Sequence, residues 1–223
     1  MAEEVRRDLK MIGETSSAGG KFRHIKITGE SVLTGDVDCI KLANTGEVVV
    51  NGGLRTRELK VTGECEVKGS LEAQIVRGRG ELKISSSIRG ENIKFTGNID
   101  AGGNCEVGVL EMDGAFNVAG LLSADVLELK MYGPCRAREI GGTKLVIKRS
   151  KATKLLNLVN LKGHAHLTAD QVEGDLVELE HTIAAVVRGN NVTIGPGCQI
   201  GRVEYRDTLN IHKSALVKES HQL

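Results

Sequence analysis

The chain contains few residues whose types and spacing could carry out chemistry. His164 and His166 share one face of an extended segment and could give a metal ion two ligands, but no third ligand follows at a suitable spacing. No glycine-rich phosphate loop lies between a strand and a helix, and no GxSxG motif presents a nucleophilic serine. The sequence therefore predicts no catalytic site, no cofactor and no metal centre.

The cysteines point to a reducing compartment rather than to covalent chemistry. Their number, five, is odd, and none has the CxxC spacing, so we expect neither a disulfide framework nor a zinc site. Residues 1–10 lack the apolar stretch of a secretory signal, and no apolar run approaches the roughly 18 residues that a membrane span needs. We therefore expect a cytoplasmic protein.

Charge and aromatic content argue against nucleic-acid binding. The formal net charge is +1 and aromatic residues make up 2% of the chain, so both a long-range field and stacking platforms for bases are missing. Two sets of charged residues stand out. The first is acidic and is either a solvated edge or a stripe that binds a cation or a basic partner. The second is basic and is either a solvated loop or a contact for an acidic lipid or a protein. They are the acidic series Glu30, Glu47, Glu64 and Glu81, and the basic cluster Lys148, Arg149, Lys151 and Lys154.

A repeat of about 17 residues predicts the elements that position these side chains. Apolar residues occupy i, i+2 pairs, the spacing of one strand face, and three such pairs fit in each period. Glycines recur between the pairs, where corners need positive φ or close backbone approach. The pattern predicts an all-β, single-stranded parallel β-helix with three sides and about 17 residues per rung. The two glycine series are Gly29, Gly46, Gly63, Gly80, Gly97 and Gly114, and Gly35, Gly52, Gly69, Gly103 and Gly120.

The inward and outward columns of this repeat give each polar residue a role. Asn44 falls in an inward slot, where its amide needs hydrogen-bond partners, most simply from the adjacent rung. Four cysteines also fall in inward columns, and we interpret them as small buried hydrophobes. One outward column alternates in charge from rung to rung and is expected to form ion pairs. These sets are Cys39, Cys65, Cys105 and Cys135, and Asp38, Arg55, Glu72, Arg89 and Glu106.

The repeat divides the chain into five parts. We expect a flexible N-terminal tail over 1–21, a regular β-helix over 22–142, irregular rungs or a bulge over 143–174, a β-helix continuation over 175–218 and a C-terminal tail over 219–223. The continuation rests on two further series at the same period, which are Val177, Ile194 and Ile211, and Ile183, Ile200 and Val217. In the N-terminal tail, the spacing of Val5, Leu9 and Ile12 would suit a short amphipathic helix that serves as a membrane tag.

The repeated segments resemble those of the bactofilins, a family of polymer-forming bacterial cytoskeletal proteins. The resemblance is carried by Ile27-Thr28-Gly29-Glu30, Val61-Thr62-Gly63-Glu64 and Phe95-Thr96-Gly97-Asn98, each with apolar partners six residues on. It implies a right-handed β-helix that assembles end to end, without a nucleotide, into filaments. The resemblance further implies a scaffold at the inner face of the cell membrane, with partners among proteins of cell shape, wall growth or motility.

The ends of a β-helix are the candidate contact surfaces for such assembly. An open rung presents unpaired N–H and C=O groups, and solenoids need caps, yet neither end of the predicted solenoid has a capping helix. The residues that we expect at a polymer interface are Phe22, Ile25 and Ile27 at one end and Leu209, Ile211, Leu216 and Val217 at the other. Two alternatives stay open: an acyltransferase of the hexapeptide type, because gaps of six residues recur, and a monomeric adaptor.

Overall fold

The computed structural model describes residues 6–150 and 165–223, and over these ranges the chain is a parallel β-solenoid of about 12 turns. The predicted fold class is confirmed. Each strand pairs in parallel with the next, and β2 alone lies beside this path. The strands are β1 (Arg7–Ile12), β2 (Thr15–Ser17), β3 (Gly20–Leu33), β4 (Val37–Val50), β5 (Leu54–Val67), β6 (Leu71–Ile84), β7 (Ile88–Ala101), β8 (Cys105–Met131), β9 (Cys135–Arg149), β10 (Leu167–Leu179), β11 (Thr182–Ile194), β12 (Gln199–Ile211) and β13 (Leu216–Gln222).

Each regular rung consists of a strand of 14 residues and a short turn, which together give the period that the sequence predicted. In β4 the buried positions form three pairs, one on each of three sides. The backbone bends between the pairs without leaving the hydrogen-bonded ladder, so one long strand replaces the three short strands that the gaps predicted. The buried pairs of β4 are Val37 and Cys39, Leu42 and Asn44, and Val48 and Val50.

The first glycine series supplies one of the two bends. From Gly29 to Gly97 these glycines have φ between 111° and 127°, a region that side chains with a Cβ rarely adopt. They also stack on one another, because a Cβ on Gly46 or Gly63 would clash with the carbonyl oxygen of the preceding glycine. Glycine is therefore required at this corner for both conformation and close approach.

The interior is a continuous apolar column that includes all five cysteines. The four that the repeat placed in inward columns are thus confirmed as buried. Burial raises the pKa of Cys65, Cys105 and Cys135 to about 12, so these thiols are poor nucleophiles. Asn44 is also buried, and its amide donates to the carbonyl of Gly46 at 3.0 Å and to that of Glu64, in the next rung, at 2.8 Å.

The N-terminal boundary of the solenoid differs from the prediction. We expected a flexible tail over 1–21, but β1 and β2 form a further rung that pairs in parallel with β3. Leu9 pairs with Ile25 and Met11 with Ile27, so the apolar pairs continue outward by one rung. This rung is one residue shorter than the regular period, and a search at a fixed spacing therefore misses it.

The region predicted to be irregular, 143–174, is largely regular where it is described. β9 runs to Arg149, and β10 pairs with it from Cys135↔Leu167 to Ile147↔Leu179. The sequence separation in this register is almost twice the regular period, so the chain inserts a segment between two adjacent rungs. Residues 151–164 lie outside the described part.

The C-terminal columns also need correction. The series Val177, Ile194, Ile211 is wrong at its first step, because Val177 pairs with Val192 and not with Ile194. Ile183 points outward and is 41% exposed, while its neighbour Ala184 fills the inward slot beside Ile200. The rungs here contain fewer residues than the regular period, so residues that stack on one another are closer in sequence than the predicted series assumes. β13 continues to Gln222, so most of the expected tail 219–223 is strand.

The inward and outward assignment can be tested at two neighbouring residues. Leu71 is fully buried between large apolar side chains of the two adjacent rungs, and Leu71→Ala should lower the free energy of unfolding by about 2–5 kcal/mol. Glu72, one residue on, pairs with Arg55 at 2.8 Å on the exposed face, and Glu72→Ala should cost under about 1 kcal/mol. Denaturant unfolding of both variants measures the difference, and equal losses would contradict the assignment.

The corner glycines can be tested against a turn glycine. Gly63→Ala should destabilise the protein by about 1–3 kcal/mol through its positive φ, and by more through the clash with Gly46. Gly53 is the matched control, because a Cβ there would come no closer than 3.5 Å to any atom. Thermal melting should show a large loss for Gly63→Ala and a small change for Gly53→Ala. A comparable loss at both sites would show that the corner needs no glycine.

Candidate assembly surfaces

The C-terminal end of the solenoid collects apolar side chains on an open rung. Leu216 is 67% exposed and Ile211 is 45% exposed, while Leu209 and Val217 are half-buried beside them. In the described part of the chain, the outer edge of β13 pairs with no further strand. Leu209, Ile211 and Val217 therefore occupy inward columns that the open end leaves uncovered, next to backbone groups that can accept another strand. Leu216 continues the outward column of Ile183 and lies on the flank of the last rung instead.

Charged side chains hold the rungs beneath this surface in register. Arg188 contacts Glu204 at 2.7 Å and Glu173 at 3.2 Å, so one guanidinium connects three consecutive rungs. The hydrogen bond from Arg188 lowers the pKa of Glu204, with a smaller contribution from Arg202. The last rungs are thus ordered by ion pairs on the flank, while the end itself remains apolar.

The N-terminal end is not where the sequence placed it. Ile25 and Ile27 are 1% exposed and lie under β1, and Phe22 is half-buried beside Arg7. The interface predicted at these three residues is wrong, because one more rung covers them. The surface at this end is instead formed by β1 and β2, whose third side is polar: the hydroxyls of Thr15 and Ser31 share a hydrogen bond of 2.9 Å.

Two arginine–aspartate pairs hold this N-terminal rung in place. Arg23 donates to both carboxylate oxygens of Asp8, at 2.9 and 2.6 Å, and Arg6 donates to both oxygens of Asp38, at 2.9 and 3.1 Å. Each pair is bidentate and connects β1, or the residue before it, to a later rung. The hydrogen bonds from Arg23 hold the pKa of Asp8 at about 2.

The sequence did contain a signal for this rung. Leu9-Lys10-Met11-Ile12-Gly13-Glu14 matches Ile25-Lys26-Ile27-Thr28-Gly29-Glu30 in the order of apolar, basic, glycine and acidic residues. Gly13 also has a positive φ, as the corner glycines do. A comparison of motifs, free of any fixed spacing, would have identified the extra rung.

The predicted membrane tag is not a helix over its described residues. Leu9 and Ile12 both lie in β1, where Leu9 packs against the core and Ile12 is 61% exposed. Val5 lies outside the described residues. Among the residues that the structure describes, no helix has the length and apolar character needed to cross a membrane.

The remaining candidate residues do not form one site. His164 lies outside the described residues, as do Lys151 and Lys154 of the basic cluster. Of the other two, Lys148 pairs with Glu178 at 2.7 Å, and the backbone N–H of Arg149 donates to Glu180 at 3.3 Å. Within the described ranges, no three His, Cys, Asp or Glu side chains are grouped so as to hold a metal ion.

Comparison with known proteins finds partial relatives. The chain is 43% identical over 107 residues to uncharacterized protein YhbE of Bacillus subtilis, a match that covers 48% of this chain and 44% of YhbE. It is 40% identical over 105 residues to uncharacterized protein YhbF of the same organism, covering 47% of this chain and 42% of YhbF. The chain thus matches less than half the length of these relatives. No family model and no solved structure matches it.

The pKa of Asp8 predicts an acid-sensitive N-terminal rung. Because this pKa lies at about 2, below the ordinary value of 3.8, the contact with Arg23 stabilises the rung fully above about pH 4 and is lost as pH falls through 2. Hydrogen exchange, corrected for intrinsic rates, should show protection in β1 falling between pH 4 and 2 before protection in β5 does.

Asp8→Asn provides the control for this prediction. The variant should show low β1 protection already at pH 4, with little further change on acidification, because its side chain does not titrate. Equal protection of β1 in the variant and the wild type at pH 4 would show that the Arg23 contact does not hold the rung.

Proposed function

We propose that this chain is a non-enzymatic scaffold that assembles into filaments by end-to-end stacking of its terminal rungs, without a nucleotide. The partners of this assembly are other copies of the chain, and the filament positions proteins of the cell envelope or of motility at the inner face of the membrane. The resemblance to bactofilins supports the cytoskeletal part of this proposal, because the shared T-G-E segments stack as corner motifs in consecutive rungs.

One observation carries the proposal: the C-terminal rung is both apolar and, within the described chain, unpaired on its outer edge. An exposed strand edge with apolar side chains is a template for another strand, and soluble proteins usually cover or charge such edges. Stacking a second rung on it would bury Ile211 and Val217, which continue the inward columns of Ile194 and Ile200, and would complete the backbone hydrogen bonds. A contact between two C-terminal ends achieves this with one surface, since a two-fold interface uses the same patch on both copies. Such a contact joins two copies, and a second contact through the N-terminal rung of β1 and β2 extends the pair into a filament.

The composition of the rest of the molecule agrees with a scaffold. The thiols are buried and their pKa values are raised, and the exposed charges lie in rows along the solenoid. One depression of about 770 Å³ is an open groove along the flank, lined by Arg55, Glu72 and Arg89 of the alternating ladder. Such a groove repeats with the rungs and offers no enclosed place for a small substrate.

Charge on the C-terminal end should prevent assembly without unfolding the chain. In Val217→Arg and Ile211→Arg, both at inward positions of the open end, the new guanidinium is solvated in the monomer but must lose water when two ends meet, where it also faces its symmetry mate. We expect the filaments of the wild type, seen by electron microscopy and sedimentation without nucleotide, to be absent in both variants. The melting temperature should change little.

Ile40→Arg is the matched control for the end variants. Ile40 is 40% exposed, comparable with Ile211, but lies on the flank of the solenoid away from both ends. This variant should still form filaments of normal length. Filaments in folded Val217→Arg and Ile211→Arg samples would contradict end stacking through this rung, and a wild type that stays monomeric would contradict the scaffold itself.

A further inference from the structure

A row of glutamates runs along one corner of the N-terminal half of the solenoid. Strand register places four of them, from Glu30 to Glu81, directly above one another at the roughly 4.8 Å spacing of paired strands. The fifth, Glu14, lies in the turn between β1 and β2, next to Gly13, whose carbonyl accepts from the backbone N–H of Glu30. All are exposed, and none forms an ion pair within the part of the chain described. This acidic row consists of Glu14, Glu30, Glu47, Glu64 and Glu81.

A row of basic residues runs parallel to it on the adjoining side of the solenoid. Each lies four residues before the position of the acidic row in its rung, on the outer face of the strand, and all are exposed. Ala43 interrupts the row in one rung, and the last member, Lys94, pairs with Glu111 at 2.6 Å. This basic row consists of Lys10, Lys26, Lys60, Arg77 and Lys94.

Stacking of rungs does not explain this separation of charge. On another side of the same rungs the signs alternate, and the charges pair: Arg55 with Glu72 at 2.8 Å and Arg89 with Glu106 at 3.6 Å. Alternation removes repulsion between neighbouring rungs, whereas two rows of single sign place like charges next to each other along their whole length. In the isolated chain like charges repel along each row, and within the described residues only the basic row is partly compensated, by Glu58 near Lys60 and Arg77. A row of opposite charge from a second molecule would therefore stabilise both rows.

We infer that this face binds a second copy of the chain, side by side and parallel, with the basic row of each copy against the acidic row of the other. A two-fold axis along the solenoid, between the rows, brings opposite charges together on both sides of the contact. An antiparallel arrangement would set like rows against each other. The intervening positions are small in three rungs (Thr28, Thr45 and Thr62), so the long charged side chains can meet across them.

The pairing of rows selects a second copy over other partners. An anionic membrane or a nucleic acid would be attracted by the lysines but repelled by the equal number of glutamates beside them. A basic protein would be attracted by the glutamates but repelled by the basic row beside them. A copy of the same chain presents both rows at the same spacing, so the four rungs of Lys10, Lys26, Lys60 and Arg77 each meet a glutamate of the other copy. This contact lies on the flank and does not depend on the end-to-end stacking proposed above.

Charge reversal of one row at a time tests the inference. The experiments use the full chain carrying Val217→Arg and Ile211→Arg, so that stacking of C-terminal ends does not contribute. Reversal of the basic row (Lys26→Glu, Lys60→Glu and Arg77→Glu) makes both rows acidic, and reversal of the acidic row (Glu30→Lys, Glu47→Lys and Glu64→Lys) makes both basic. Sedimentation velocity should show dimers of the parent and monomers of each reversed chain alone.

A mixture of the two reversed chains should restore the dimer, because the two acidic rows of one chain then face the two basic rows of the other. The dimer should weaken between about 0.01 M and about 1 M salt, as the screening length falls from roughly 30 Å to roughly 3 Å. A control that exchanges the charges of the alternating ladder, Arg55→Glu with Glu72→Arg, should dimerise as the parent does. A parent that stays monomeric in low salt, or a mixture of folded reversed chains that stays monomeric, would overturn the inference.

Energy transfer between dyes distinguishes the two orientations. The native cysteines are buried, so Lys213→Cys at the C-terminal end can be labelled selectively. Parallel pairing places the two labels close together and gives strong transfer. Antiparallel pairing would place the C-terminal ends at opposite extremes of the dimer and abolish transfer, which would overturn the arrangement of rows. Binding of the monomer to anionic vesicles without dimerisation would assign the basic row to a membrane and would also overturn it.

Discussion

The stacking of each rung on the one before it is the interaction on which the rest of the structure depends. The corner glycines make this stacking possible, because Gly46 and Gly63 combine a positive φ with direct contact to the preceding carbonyl. A side chain at this corner would separate the rungs and break the ladder of hydrogen bonds. The C-terminal half has its own column, Gly142, Gly174 and Gly189, in which each glycine pairs with the next. The period can therefore change between the halves while the contact at the corner is kept.

This dependence explains how far the sequence could predict the fold. From β3 to β8 the register advances by one full period at every rung, so apolar pairs such as Ile25 and Ile27 fall into columns that a fixed spacing detects. The N-terminal rung is shorter than this period, and so is the rung from Val177 to Val192, although both keep the same kind of apolar pair. Ile183 and Ala184 are adjacent and both apolar, so the local sequence allows either one to face inward. The pairing of Ala184 with Ile200 decides between them, and pairing is a property of the fold rather than of one rung's sequence.

The same limit applies to the candidate site. Leu209, Ile211 and Val217 lie at the open end because they occupy inward columns in the last two rungs of a ladder whose direction the repeat defines, whereas Leu216 faces outward as Ile183 does. Phe22, Ile25 and Ile27 were misplaced because an apolar pair looks the same whether its rung is terminal or covered. What distinguishes the two cases is the presence of Leu9 and Met11 one rung away, and of the bidentate pair between Asp8 and Arg23 that holds them there.

A solenoid of this kind uses its apolar residues for the interior and leaves recognition to its ends and its outer rows. Both surfaces are repetitive, since each rung contributes the same position at the same spacing. A repetitive surface gains most from a partner with the same period, because every rung then forms a contact and the individual contributions add along the length. Few molecules match a spacing of roughly 4.8 Å over several rungs as well as another β-solenoid does. The two associations that we propose, strand pairing at the open C-terminal rung and complementary rows of charge along the flank, both rest on this match of period.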